Sequence, residues 1–356
     1  AKVLRRRPRR QHVQHIINLH RVRIDDKAAR LPRSLNGERG LAAGGRPRYQ
    51  DRAQLCRHVR NPLMLIATLI ANPDRPVLTP SLAEKAMAAV GGRQLYWLAD
   101  GIAADLPLPD GLGAGAALSV VRQNLDGIPI DIVVQNESER RKKLLIADMD
   151  STMIDQECID ELADVAGLKD HVAAITAKAM NGEIPFEDAL RERVALLKGL
   201  AETVVADVIR DRITLAAGGR ELVATMRRNG ARTALVSGGF TSFTGPIAAK
   251  LGFQENQANV LESAGGVFTG TVREPILGRQ AKADAILAIT ARFGITPTDV
   301  LAVGDGANDL SMLELAGSGV ALHAKPVVAA QARHRIDHGD LTALLYMQGY
   351  RRADFI

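Results

Sequence analysis

Along the chain, short apolar runs alternate with segments whose apolar residues recur every three or four positions. Residues 63–71 read as a strand, 80–90 as a helix, 94–100 with their neighbours as a strand, 114–125 as a helix and 128–134 as a strand. This order predicts a small α+β layer domain over 62–140. The charged stretch ESERRKK, 137–143, reads as a solvated linker or helix face. The run Leu144, Leu145, Ile146, Ala147 is a buried strand that delivers Asp148 and Asp150 at its carboxyl end, with Thr152 beyond. Residues 155–215 are helical in pattern: Cys158, Leu162 and Val165 share one stripe, and Leu190, Val194 and Leu197 another.

Strand and helix then alternate again. Helices are expected over 220–230, 241–251, 280–293 and 310–315, strands over 233–236, 300–303 and 319–322, and a hairpin over 259–276 around Gly265 and Gly266. Strands separated by helices predict a doubly wound, Rossmann-like parallel sheet with right-handed crossovers over 141–356. The helices of 155–215, inserted after its first strand, form a cap able to exclude water from that strand's edge.

Charge changes the picture at one end only. The 356-residue chain carries +6, but residues 1–60 hold 17 Lys and Arg against 4 Asp and Glu, a surplus of 13 that leaves the remainder at −7. Residues 1–61, with LRRRPRRQ and no sustained period, read as a basic, mostly disordered extension. Nucleic-acid binding, a targeting peptide and an extension upstream of a start at Met64 are its three readings, the last favoured. Aromatic residues make up 3% of the chain, too few for a stacking platform on single-stranded nucleic acid. Cys56 and Cys158 fit neither a disulfide framework nor a zinc spacing, which points to a reducing compartment. With no apolar window near the ~20 residues a membrane span needs and no secretory pattern, the expected location is the cytoplasm.

The chemistry lies where strands end. Asp148 and Asp150, then Ser237, Gly238 and Gly239, then Asp305, Asn308 and Asp309 follow three strands whose carboxyl edges face one way in a parallel sheet. Carboxylates gathered there repel unless a cation binds, and oxygen donors without His or Cys point to magnesium. Ser237 offers a hydroxyl, and the two glycines let backbone N–H groups approach an anion. Lys282 shares a helical stripe with Ile286, Ile289 and Phe293, which aims its ammonium inward. A carboxylate nucleophile, a second carboxylate, Mg²⁺, a hydroxyl and a lysine suit phosphoryl transfer with an aspartyl-phosphate step. Asp148 would attack, and Asp150 would move protons. Taken singly, each has a bland reading: a capped turn for the Asp-X-Asp pair, an N-cap for Ser237, a snorkelling chain for Lys282. Their order at successive strand ends outweighs those readings. Arg193 sits on the apolar stripe of its helix and needs an anionic partner, either a free carboxylate of a ligand or a structural ion pair. Glu157 lies off its stripe and by periodicity is a solvated charge.

DMDST at 148–152, SGG at 237–239, Lys282 and GDGANDL at 304–310 resemble the four motifs of the haloacid dehalogenase superfamily of phosphatases, over 143–356. Within it, the chain is similar to members that hydrolyse O-phospho-L-serine at the last step of L-serine biosynthesis. The resemblance implies that Asp148 is the nucleophile and Asp150 the general acid and base. It implies Mg²⁺ held by the carboxylates of Asp148 and Asp305 and the backbone carbonyl of Asp150, with Asp309 in support. It assigns Ser237, Gly238, Lys282 and Asn308 to the phosphoryl group or substrate, Glu157 to the substrate ammonium and Arg193 to its carboxylate, with Met180 and Phe186 beside them. The partner is then a small phosphate ester, with homodimerisation left open, no membrane, and nucleic acid disfavoured. Another small ester such as phosphohomoserine is the alternative substrate, and a binding module that keeps the core is the alternative class. The strand and helix order of 62–140 resembles ACT-type regulatory modules, which implies a regulatory role and raises serine binding as a question.

Overall fold

The computed structural model describes residues 64–180 and 183–356; the expectations for the basic segment 1–61 and for Cys56 lie outside them. The first sheet is antiparallel. β1 (Leu65–Ala71), α1 (Pro80–Ala89), β2 (Tyr96–Ala99), β3 (Ala103–Pro107), α2 (Ala114–Asn124) and β4 (Ile130–Asn136) give strand order β2-β3-β1-β4. Where one strand was expected around 94–100, there are two, separated at Gly101, whose φ of 72° suits glycine. Thr79 starts α1 by accepting the Leu82 N–H at 3.3 Å, with Pro80 pre-set for the first turn.

β1 is apolar on both faces for a physical reason. Ala67, Leu69 and Ala71 pack under α1 and α2, while Ile70, with Leu98 and Val133, joins the core of the larger sheet. The stretch 137–143 departs from the solvated reading only in part, since Ser138, Glu139, Arg141 and Lys143 are exposed. Only its first turn, Glu137–Glu139, is a short 3₁₀ helix; Arg140 then reaches back to Asp105 at 2.7 Å, and Lys142 is buried with Nζ donating to Thr298 O at 2.8 Å. Thr68 Oγ1 donates to the other Asp105 oxygen at 2.7 Å, so the buried carboxylate has partners on both oxygens.

The second sheet is fully parallel. β5 (Leu144–Ala147) leads into the cap helices α3 (Cys158–Val165), α4 (Lys169–Met180), α5 (Phe186–Ala195) and α6 (Val204–Asp211). The chain returns through α7 (Gly219–Arg228), β6 (Arg232–Phe240), α8 (Thr241–Leu251) and β7 (Glu255–Asn259), then the hairpin β8 (Leu261–Ala264) and β9 (Val267–Val272). It continues through α9 (Arg279–Phe293), β10 (Val300–Gly304), α10 (Leu310–Leu315), β11 (Ser318–Leu322), α11 (Pro326–Ala329), β12 (His334–Ile336) and α12 (Ala343–Tyr346). The strand order is β12-β11-β10-β5-β6-β7, so the chain reverses direction across the sheet beside β5. That switch point opens a crevice at the carboxyl ends of β5 and β10.

Two stripe residues depart from expectation. Val165 is 42% exposed because the buried face of α3 centres between Cys158 and Leu162 on one side and Ile159 and Ala163 on the other, leaving Val165 at its edge. Phe293, the last residue of α9, is 37% exposed and lies beneath the guanidinium of Arg232 at 4.4 Å. β7 and β12 extend the sheet beyond the expected strands; ENQAN is too polar, and HRI too short, to carry a period. Among the described residues no helix is long and apolar enough to cross a membrane.

A carboxylate ties the two sheets. Asp131 on β4 accepts the backbone N–H groups of Asp337 at 2.8 Å, His338 at 3.1 Å and Gly339 at 2.7 Å. Asp131→Ala leaves these donors without that acceptor and should lower unfolding stability by about 1–3 kcal/mol. Urea denaturation reads this directly, and an unchanged midpoint would mean that solvent replaces the carboxylate at no cost.

Candidate active site

Three strand ends meet at the crevice. β5 delivers Asp148 and Asp150, β6 carries Ser237, Gly238 and Gly239 near its carboxyl end, and β10 leads to Asp305, Asn308 and Asp309. One carboxylate oxygen from each of Asp148, Asp305 and Asp309 lies within 4.8 Å of the others. Lys282, in the first turn of α9, places Nζ 2.8 Å from Asp148 Oδ2 and 2.6 Å from Asp309 Oδ1. Other oxygens of the cluster accept hydrogen bonds: Asp148 Oδ1 from the Met149 N–H at 2.8 Å, Asp309 Oδ2 from the Gly306 N–H at 3.0 Å, and Asp305 Oδ1 from the Thr152 hydroxyl at 3.1 Å.

Asp150 faces a different way. Its Oδ1 accepts the N–H of Cys158, the first residue of α3, at 3.0 Å, and its Oδ2 accepts the Ser237 hydroxyl at 3.3 Å. A Cβ at Gly239 would lie 2.9 Å from Asp150 Oδ2, which explains glycine there. The Gly239 N–H donates to Ser237 Oγ at 2.9 Å, so it fixes the turn and does not point outward as expected for an anion-binding N–H.

From the cap side, Glu157 sits at the N-cap position of α3, exposed, and accepts the Ser151 hydroxyl at 2.7 Å. Arg193 on α5 is half-buried, with Nε donating to Ala189 O at 3.2 Å and Nη1 to Thr176 Oγ1 at 3.4 Å. Among the described residues no carboxylate lies in ion-pair contact with it, so the structural ion pair is not found there. The Phe186 ring covers the glycine turn, with Cζ 3.4 Å from the position of a Cβ on Gly238. Asn308 is half-buried, and its Oδ1 would be 2.2 Å from a Cβ on Gly306. Met180 ends α4; the expectation for its side chain lies outside the described residues.

Burial dominates the electrostatics. It pushes the Asp148 carboxyl well up, aided by Asp309 and opposed by Lys282. Burial and then the Glu157 charge push Asp150 up to about 6. Burial, then Asp309 and Glu157, push Asp305 up to about 7. For Lys282, burial favours the neutral form, yet Asp148 and Asp309 override it and hold the ammonium charged. Burial lowers Arg193, which Asp160 and Glu157 partly offset. Three clustered carboxylates, of which Asp148 and Asp305 have raised protonation tendencies, with oxygen donors only, are suited to a hard divalent cation. The cluster includes Asp309; the expected contact from Asp150 ran through its backbone carbonyl, consistent with its carboxylate facing Cys158 and Ser237.

One positioning residue escaped the sequence. Asn259, 2% exposed at the end of β7, donates Nδ2 to Gly238 O at 2.8 Å and accepts the Leu277 N–H at 2.7 Å. It braces the glycine turn against the segment that starts α9, and so against Lys282. Its only signal was a polar residue in a run too polar to read as a strand.

Residues 145–314 match a family model described as haloacid dehalogenase-like hydrolase. A phosphoserine phosphatase from Streptomyces coelicolor is 42% identical over 228 residues, which cover 64% of this chain and 55% of that protein. The chain therefore spans little more than half the length of that relative. A phosphoserine phosphatase from Polaromonas sp. is 43% identical over 224 residues, 62% of this chain and 95% of that protein. Among solved structures, a HAD family hydrolase from Salmonella enterica subsp. enterica serovar Typhi superimposes with a TM-score of 0.71 at 30% identity, covering 80% of this chain and 98% of that one.

The raised carboxyls fix the sign of a pH effect. An acid that holds its proton more tightly when folded adds stability at low pH and loses it as pH rises from the unfolded value through the folded one. For the cation-free chain, the window runs from the ordinary carboxyl range up through the values of about 6 for Asp150 and about 7 for Asp305. Thermal unfolding in chelator should show a midpoint that falls from about pH 5 to about pH 8, and a divalent cation should restore more of it at the higher pH. An equal cation effect at both pH values would refute the carboxylate cluster as its seat.

Proposed function

Since the chain belongs to the haloacid dehalogenase-like hydrolases, we propose that it is a phosphoric monoester hydrolase that converts O-phospho-L-serine to L-serine and phosphate, the last step of L-serine biosynthesis. The observation that carries this reading is the buried Asp148–Lys282 pair beside an Asp150 whose carboxyl sits at about 6. The reacting groups then divide the work. An Asp148 oxygen forms a bond to phosphorus as the bond from phosphorus to the seryl oxygen breaks. Asp150, protonated in part near neutral pH, gives its proton to the departing seryl oxygen. As a carboxylate it then takes a proton from the water that attacks the aspartyl-phosphate, and the bond to Asp148 breaks to release phosphate.

Lys282, Ser237, the Gly238 backbone and Asn308 offset charge on the phosphoryl oxygens. A Mg²⁺ ion held by Asp148, Asp305 and the Asp150 carbonyl, with Asp309 in support, would add further charge neutralisation at those oxygens. In the cap, Arg193 binds the substrate carboxylate and Glu157 its ammonium, while Phe186 helps to exclude water. Asp160 and Glu157 offset the burial of Arg193 only in part, and among the described residues no carboxylate forms an ion pair with it, which supports this role, because a half-buried guanidinium gains from an anion that arrives with the ligand. Cytoplasmic action on a small molecule belongs to the same reading.

Phosphate release across a panel of phosphorylated small molecules, with and without Mg²⁺, tests the substrate: phosphoserine should dominate, and dominance of another ester would overturn the assignment. Asp148→Asn should reduce turnover by about 10³-fold or more. Retained aspartyl-phosphate formation in that variant would sink Asp148 as nucleophile. Arg193→Ala should cost roughly 10- to 100-fold in kcat/KM for phosphoserine, the worth of one charged hydrogen-bonding group, and far less for an aryl phosphate. Equal losses on the two substrates would remove Arg193 from recognition.

A further inference from the structure

At the opposite, amino-terminal edge of the parallel sheet lies a second cavity, about 370 Å³, bounded by both sheets. From the small sheet, the first turn of α2 contributes Ala114 and Gly115. α2 is 11 residues long, and its N-cap is Gly113, which supplies no side-chain cap, so the first-turn N–H groups lack the usual side-chain acceptor. The linker contributes Lys142, and the start of β12 contributes Arg333 and His334. Both cations are anchored on carbonyls: Lys142 Nζ donates to Thr298 O at 2.8 Å and Arg333 Nη1 to Gly317 O at 2.7 Å. Among the described residues neither cation forms an ion pair, although Glu139 and Asp299 act on Lys142 from nearby and the exposed Glu139 also lines the cavity.

His334 adds an independent observation. It is 8% exposed, lines the cavity, and among the described residues its ring has no hydrogen-bond partner. Its ring nitrogens, which no protein group engages among the described residues, face the cavity it lines and can meet a ligand that enters. Burial, then Arg333 and Lys142, push it down to about 4, so it is a neutral ring that an adjacent anion would help to protonate.

We propose that this inter-sheet cavity binds a small phosphoryl oxyanion, held by the α2 N-terminus, Lys142, Arg333 and His334, away from the catalytic edge. Oriented N–H groups and anchored cations from different elements suit a compact polyanion with several acceptor oxygens. The bound anion would bridge the small sheet to the parallel one.

The test reads His334 itself. The full chain, with histidines ¹³C-labelled at the ring, is titrated with inorganic phosphate in one arm and with methylphosphonate, a non-hydrolysable mimic of an esterified phosphate, in the other. The His334 resonance is assigned with His334→Gln. A saturable shift is expected, with the His334 titration moving up by about 1–3 pH units. A response to phosphate alone identifies the free ion as ligand, and a response to both admits phosphate esters. Arg333→Ala should weaken the response at least tenfold. Gly115→Asp should abolish it, because no atom lies within 4 Å of a Cβ at Gly115 and the new carboxylate would occupy the helix N-terminus. No His334 shift with either anion, or a shift that survives both substitutions in folded protein, overturns the proposal.

Discussion

Gathering Asp148, Asp150, Asp305 and Asp309 at one sheet edge, with the Lys282 ammonium buried among them, is the constraint to which the rest of the core conforms. Two carboxylates within 4.8 Å repel by about 3–4 kcal/mol at an effective dielectric near 20, and one ammonium cannot offset every pair. Burial first, and neighbouring carboxylates second, raise the protonation tendencies of Asp148, Asp150 and Asp305. Such an arrangement persists only on a scaffold that does not yield. β5 supplies it: all four of its residues are fully buried, and it is paired on one side with β10 and on the other with β6. Site and strand are therefore one design, since a cation that relieves the repulsion also stabilises the fold.

The cap is coupled to this edge through a backbone group. The Cys158 N–H that holds Asp150 belongs to the first turn of the first cap helix, and Glu157, which raises both Asp150 and Asp305, is the residue before it. The cap leaves the core where Ile154 bridges Leu215, and Gly199 donates to Phe268 O at 2.8 Å, tying it to the hairpin. Any displacement of α3 would thus change the hydrogen bonding and the electrostatics of the proposed acid at once. In the proposed mechanism, substrate enclosure and proton transfer would share one mechanical element.

What was legible in the sequence was whatever depends on period and order. Apolar runs ending in Asp148, Ser237 and Asp305 placed three strand ends at one edge, and the stripe of Lys282 with Ile286 and Ile289 aimed the ammonium inward. What was not legible depends on tertiary contact. Period alone could not show that the buried face of α3 turns away from Val165, or that Phe293 would sit exposed under Arg232. Nor could composition show that Arg140 and Lys142, in a run of charges, would find a buried Asp105 and a backbone carbonyl. Asn259 was invisible because its worth lies in two backbone groups far away in sequence.

The same reasoning bears on the small sheet. A half-exposed antiparallel strand alternates apolar and polar residues, yet in LIATLIA the one polar side chain, Thr68, is buried and turned onto Asp105. Its second face has to be covered, and the covering is the carboxyl-terminal part of the chain: Leu344, Leu345, Tyr346 and Met347 belong to the same core as Ile70, Leu98 and Val133. Separating the sheets would expose that apolar surface on both and strip Asp131 of its three donors. A tethered appendage would show a polar outer face and a solvated linker. Here the outer face is apolar and covered, and the linker is anchored by Arg140 on Asp105 and by the buried Lys142, so the antiparallel sheet is part of the structural support of the parallel one, and whatever binds between them acts on a shared core.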